Sequence, residues 1–100
     1  MARVEEALDL PVSLVRGPRV VREAREKEKA AKEAEALYER AWVLLDDQPE
    51  AAEPLFREAT VKQPSVAKYR VSLSSALAKQ GKHQEALRAA EHAVEVAEPH

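Results

Sequence analysis

From Arg19 the chain keeps a helical rhythm without a break as far as Asp46-Asp47. Val20, Ala24, Lys27, Ala31, Ala34, Tyr38, Ala41 and Leu45 recur at alternating steps of four and three, a heptad stripe. The stripe is small-residued and Lys27 interrupts it, so it does not predict an autonomous coiled coil. It predicts a long first helix whose first half projects and whose second half, from about Ala34, joins the core. Leu37, Trp42 and Leu44 widen the apolar face there, with Trp42 and Tyr38 expected as core filler. Asp46-Asp47-Gln48-Pro49 breaks the rhythm and opens a second helix, with Asp47 or Gln48 at the cap position and Leu55, Phe56 and Ala59 as its inner face. Pro54 marks either a kink or a later start. Gln63-Pro64-Ser65 is the next break, with Ser65 as the expected N-cap. A third helix then runs to about Gln80 and buries Tyr69, Leu73, Ala76 and Leu77. Gly81 stops it. A fourth spans about His83 to Ala97 on a buried face of Ala86, Ala90 and Ala93, and Pro99 closes it.

Upstream of Arg19 the pattern is different. VEEALDL suits a helical turn, but Pro11, Gly17 and Pro18 each oppose a continuous helix, and Val12, Leu14 and Val15 are too few to build a core. The expected organisation is therefore an extended or partly disordered arm over residues 1–18, a charged helical extension over 19–33, and an all-α domain over 34–100.

Within that domain the sequence repeats. Ala52 and Ala86, Phe56 and Ala90, and Ala59 and Ala93 each stand 34 positions apart, and Pro64 is answered one residue late by Pro99. Leu73-Ser74 with Leu77, then Lys79-Gln80-Gly81, precede the second set. On these residues the chain resembles the tetratricopeptide repeat family, whose period is 34 and whose second helix carries Ala-x-x-x-Phe before a closing proline. About two units would cover residues 34–99. Arg70 departs from the pattern, standing where the family prefers a large aromatic. In the first unit Leu37, Ala41 and Leu44 fit only after a slide of one residue, which implies a shorter first inter-helix loop.

The resemblance implies antiparallel helical hairpins with a concave face formed by the first helix of each unit. That face would carry Leu37, Tyr38, Ala41 and Leu45, then Lys68, Val71, Ser72, Ser75, Ala78 and Lys79. Val71 and Ser75 occupy the positions where clamp-type members bind peptide carboxyl termini with lysine and asparagine. The implied ligand is therefore an apolar or mixed peptide. Two units are fewer than the roughly three that make such a stack stable. The exposed ends are then covered either internally, by the N-terminal helix and arm, or by stacking on itself or on a larger assembly, which the apolar residues of an arm without its own core favour.

Composition sharpens this picture. The chain has 100 residues, about one domain, and 45% of them are hydrophobic, with alanine the commonest of these. Close helix packing must replace bulk, since there are only four aromatic side chains, Tyr38, Trp42, Phe56 and Tyr69. The net charge of −2 hides a basic stretch with Arg16, Arg19, Arg22, Arg25, Lys27, Lys29 and Lys32. Glu23 with Lys27 and Glu28 with Lys32 have the favourable i,i+4 order of a solvated helix face. The other reading of this stretch is contact with an anionic partner through Arg19, Arg22, Arg25 and Lys29, nucleic acid included. It has no aromatic residue for base stacking.

No cysteine is present, which excludes disulfides, thiolate metal sites and a thiol nucleophile, and fits a cytoplasmic or other reducing intracellular compartment. The N-terminus does not have the form of a secretory signal, and no window holds the ~20 apolar residues needed to span a bilayer, so no membrane insertion is expected. Candidate chemistry is sparse. His83 and His92 lie nine positions apart, half a turn out of alignment on one helix, which rules out a shared metal ion. Gly81 has no phosphate-loop companions, and Ser72, Ser74 and Ser75 have no nucleophile-elbow context. The expectation is a protein without catalytic residues or cofactor. It would be an adaptor or accessory subunit that meets a protein partner through Val12, Leu14, Val15 and Arg16 of the arm and through the helical groove.

Overall fold

The computed structural model describes the backbone of residues 3–97 and the side chains of residues 21–97. Four helices follow one another with no strand among the described residues: α1 (Arg3–Leu44), α2 (Pro49–Lys62), α3 (Ala67–Lys79) and α4 (His83–Ala97). The fold is all-α. Each short connection returns a helix against its predecessor, so α1 packs on α2, α2 on α3 and α3 on α4.

Helix α1 starts at Arg3, where the sequence predicts an extended arm over 1–18. Strong helix formers crowd both sides of the breakers, and each residue added to an existing helix contributes one more hydrogen bond. The helix therefore spans Pro11, Gly17 and Pro18. Each proline still leaves the carbonyl four residues earlier, on Ala7 and Leu14, without its intrahelical donor. The side chains of Val12, Leu14, Val15, Arg16 and Arg19 lie outside the described residues.

Burial begins at Ala34. Residues 22–29 are exposed, and α1 then buries Ala34, Leu37 and Ala41, with Leu45 buried just past its end; Leu37 takes the buried place that the heptad stripe gives to Tyr38, which is half-buried. Ala41, Leu45, Ala52, Phe56, Leu73, Ala76, Leu77, Ala86 and Ala89 form one connected core group, and Ala34, Leu37, Ala59 and Tyr69 form a second. Tyr38 and Leu55 pack against both. Phe56 and Leu77 are the largest fully buried side chains. Alanine elsewhere in the contacts lets the helix axes approach closely enough to enclose them. On α4 the buried set is Ala86, Ala89 and Ala93, while Ala90 is half-buried.

The helix ends differ in how well they match expectation. Gly81 has φ +82°, Gly81 N–H donates to Ala78 O at 2.9 Å and Lys82 N–H to Leu77 O at 3.0 Å. This is the Schellman closure, which needs a left-handed residue and explains the glycine. Helix α3 begins after Val66, not Ser65, and no side chain caps it. Val66 packs on the second core group, so apolar burial sets the entry to this helix. Helix α2 starts at Pro49 with Pro54 inside it, and Gln48 makes no side-chain cap bond.

Candidate functional site: the surface shared by α1 and α3

Helix α1 presents a second stripe one position beyond its buried one. Glu35, Tyr38 and Trp42 follow at steps of three and four, which keeps them on one face, and Asp46 continues the line in the turn just past the end of the helix. Helix α3 presents Lys68, Val71, Ser75 and Lys79 at the same steps. Two exposed ion pairs link these stripes side by side. Lys68 Nζ lies 3.2 Å from Glu35 Oε1, and Lys79 Nζ lies 3.4 Å from Asp46 Oδ1. Both partners stand 33 positions apart (68 less 35, 79 less 46), so α1 and α3 run in the same direction in a fixed register.

Between the two pairs the surface is apolar. Trp42 is 49% exposed and Val71 53% exposed. The Trp42 ring meets Tyr38 edge-on at 6.1 Å between centroids and Phe56 at 6.5 Å. Tyr38 in turn contacts Phe56 at 5.9 Å and Tyr69 at 5.2 Å. An aromatic chain thus runs from the buried Phe56 to the half-exposed indole, and it holds that indole in place. Trp42 is not the core filler that its spacing predicts. The α1 core face is complete with Ala41 and Leu45, and Trp42 falls at the edge of that face.

One end of the surface is built from charge and aromatic contact together. Tyr69 hydroxyl donates to Glu35 Oε1 at 3.1 Å, the same oxygen that Lys68 approaches. Burial first, then the hydrogen bond to Glu35 and its negative charge, push the Tyr69 phenol up to about 12, so it stays a neutral donor. Lys68 Nζ also lies 4.9 Å from the Tyr38 ring centroid and 5.6 Å from that of Tyr69, within cation–π range.

The structure sorts the residues expected on this face. Tyr38, Lys68, Val71, Ser75 and Lys79 are on it. Leu37, Ala41, Leu45 and Ser72 are buried in the helix contacts and present little surface. The physical reason is the pitch of α1: the stripe that meets α2 and α3 cannot also face outward. Glu35, Trp42 and Asp46 were the residues missed. The signal for them was the same 3–4 spacing read one position further along α1.

The basic extension is exposed at Arg22, Arg25 and Lys29. Arg25, Lys29 and Lys32 share a shallow depression with Glu28 and Glu33, and Glu33 is paired with Lys62 at 3.0 Å. Among the described residues no helix is long and apolar enough to cross a membrane, and no group of three or more His, Asp or Glu side chains is placed to hold a metal ion. Comparison with protein-family models, curated proteins and solved structures finds no match to this chain.

Proposed function

We propose that this chain is a non-catalytic protein–protein interaction module, a small adaptor or accessory subunit that docks on a larger assembly. The observation that carries the proposal is the half-exposed Trp42, held by Tyr38 and Phe56 beside Val71 and bracketed by two cross-helix ion pairs. An aromatic anchor that is already ordered loses little conformational entropy on binding, and tryptophan with tyrosine dominates interface energetics. The ion pairs form a polar rim that sets register more than affinity. The tetratricopeptide resemblance supports the same reading. The two second-helix sets repeat at 34 positions and the first-helix stripes at 33, while the connection from α1 to α2 (45–48) is longer than that from α3 to α4 (80–82), not shorter as the resemblance implies. The partner chemistry implied is a peptide segment with an apolar centre and polar or charged ends. Val12, Leu14, Val15 and Arg16 remain in the proposal as a further contact from the N-terminal part of α1.

The test compares affinity capture by the intact chain, by Trp42→Ala and by Val43→Ala. Val43 is 81% exposed, adjacent in sequence and off the stripe. Loss of an anchor of this kind weakens binding by about 30-fold, the equivalent of ~2 kcal/mol. Retention of the same partner by Val43→Ala and its loss from Trp42→Ala is the expected result. Equal retention by both variants would refute the assignment of this face.

A second reading is supported by the exposed Arg22, Arg25 and Lys29, which with Lys32 fall on one helical stripe. In that reading the extension binds nucleic-acid phosphates. It requires retention on immobilised RNA that falls steeply with salt and is lost in Arg22→Glu.

A further inference from the structure

The molecule has a second concave surface to which α1 contributes nothing. Leu73 and Leu77 of α3 and Ala89 of α4 lie beneath it, almost fully buried, and its exposed apolar surface is Val61 of α2, beside Thr60. The cleft is open, with a volume of about 470 Å³. Arg57, Arg70, Arg88 and His92 stand around it against a single carboxylate, Glu85. That carboxylate is already engaged by Arg57 Nη2 at 3.4 Å, and Arg57 itself is held to Glu53 at 2.8 Å. Arg88 makes no ion pair among the described residues. Arg70 Nη2 donates to Pro64 O at 3.3 Å, but the Arg70 Nε is buried and has no acceptor.

We propose that this cleft is a docking site for an acidic amphipathic helix presented by another protein. Three observations select that occupant. The first is charge: Arg57, Arg70 and Arg88 face a single carboxylate, Glu85, which Arg57 already engages, so the cleft favours an anionic occupant. The second is the exposed Val61 on the cleft wall, which a free inorganic anion would leave uncovered and an aliphatic side chain would cover. The third is the shape. Arg70, Leu73 and Leu77 follow one face of α3, and Glu85, Arg88, Ala89 and His92 follow one face of α4, a length of roughly 10 Å or two helical turns. Contact of that length buries far less than the roughly 1,200 Å² of a stable dimer interface, which favours a peptide segment over a second copy of the chain. In the bound state leucine-type side chains pack on Val61 at the mouth of the cleft, and flanking carboxylates reach Arg88 and the guanidinium end of Arg70. Glu85 repels any carboxylate placed near the α3–α4 corner, which orients the helix. This site does not depend on the α1–α3 face, and the two can be read separately.

The probe is a labelled synthetic helix of about 15 residues of alanine, leucine and glutamate, with leucines at i, i+4 and i+7 and glutamates flanking them. Its twin carries lysine in place of glutamate. Fluorescence polarisation is recorded with the intact protein and with Arg88→Glu, Arg70→Met and Trp42→Ala, each checked for native helicity by circular dichroism. Arg88 is exposed on α4, so Arg88→Glu changes charge without touching the core. The expected result is binding of the glutamate helix with an affinity that falls with salt. The lysine twin should bind at least tenfold more weakly. Arg88→Glu and Arg70→Met should each weaken the glutamate helix about tenfold, and Trp42→Ala should leave it unchanged. Equal binding of the twins, no binding at millimolar peptide, or indifference to Arg88→Glu would overturn the proposal. Loss only in Trp42→Ala would overturn it too, by placing the acidic helix on the α1–α3 face. A concentration-dependent dimer abolished by Arg88→Glu would put a second copy in the cleft and overturn the occupant named here.

Discussion

Phe56 and Leu77 are the largest side chains that solvent does not reach, and they share their core group with five alanines, Leu45 and Leu73. A core built this way depends on few atoms. Phe56→Ala removes the largest of them and the inner end of the aromatic chain to Trp42, and is expected to cost about 3–5 kcal/mol, read as a fall in the urea midpoint. Gly81 tests a different residue-scale argument. A methyl added there meets nothing within 4 Å, so the only cost of Gly81→Ala is the left-handed backbone at φ +82°. That cost is about 1–2 kcal/mol in a urea titration, and Gly81→Asn, which tolerates the conformation better, should recover part of it.

At the scale of the elements, the corner between α3 and α4 is held to α2 by one carboxylate. Glu53 Oε1 accepts from Gln80 Nε2 at 2.9 Å and from Lys82 Nζ at 3.1 Å, and Glu53 Oε2 accepts from Arg57 at 2.8 Å. Gln80 Nε2 also donates to Ala76 O at 3.0 Å. Desolvation raises the Glu53 pKa, but the hydrogen bonds from Gln80, Arg57 and Lys82 and the charge of Arg57 outweigh it and hold the carboxyl at about 2. A depressed carboxylate stabilises the fold above its unfolded value, and that contribution disappears as pH falls from about 4.5 through about 2. The partners are solvated, so the amount is on the order of 1–2 kcal/mol rather than the full value of the shift. Glu53→Gln should remove this component, giving a variant that is less stable at pH 7 and whose denaturation midpoint changes less with pH between 5 and 2 than that of the parent.

The element boundaries were legible because proline and glycine punctuate this chain: Pro49, Pro64 and Gly81 each sit at or beside a helix end. Two local readings failed, both where packing overrides local chemistry. Ser65 offers a cap, yet Val66 gains more by burial. Pro11, Gly17 and Pro18 oppose a helix one residue at a time, while the flanking helix formers act together. The candidate face was half legible, because a heptad stripe identifies the buried line of α1 but leaves its neighbour, the line of Trp42, ambiguous between core and surface.

At the scale of the whole molecule, a projecting α1 dominates the dimensions. Its 42 residues correspond to roughly 63 Å of helix at 1.5 Å per residue, and the longest extent of the chain is 63 Å. The radius of gyration is 18.7 Å, against about 13 Å for a compact domain of this length. Small-angle scattering of the monomer should return a value near 19 Å and an elongated distance distribution. A value near 13 Å would mean that the N-terminal half of α1 folds back onto the hairpins.

A protein assembled from few large side chains, with its one tryptophan half in solvent beside two interlocking ion pairs, is organised around a surface rather than a cavity. The most direct measurement places a photo-crosslinkable residue at Ser75, inside the α1–α3 face, and in a separate chain at Val43, outside it. Irradiation in an extract from the source cells should give one discrete adduct from position 75, competed away by unlabelled intact chain but not by Trp42→Ala, and none in common from position 43. The same adduct from both positions, or none from position 75, would contradict the account.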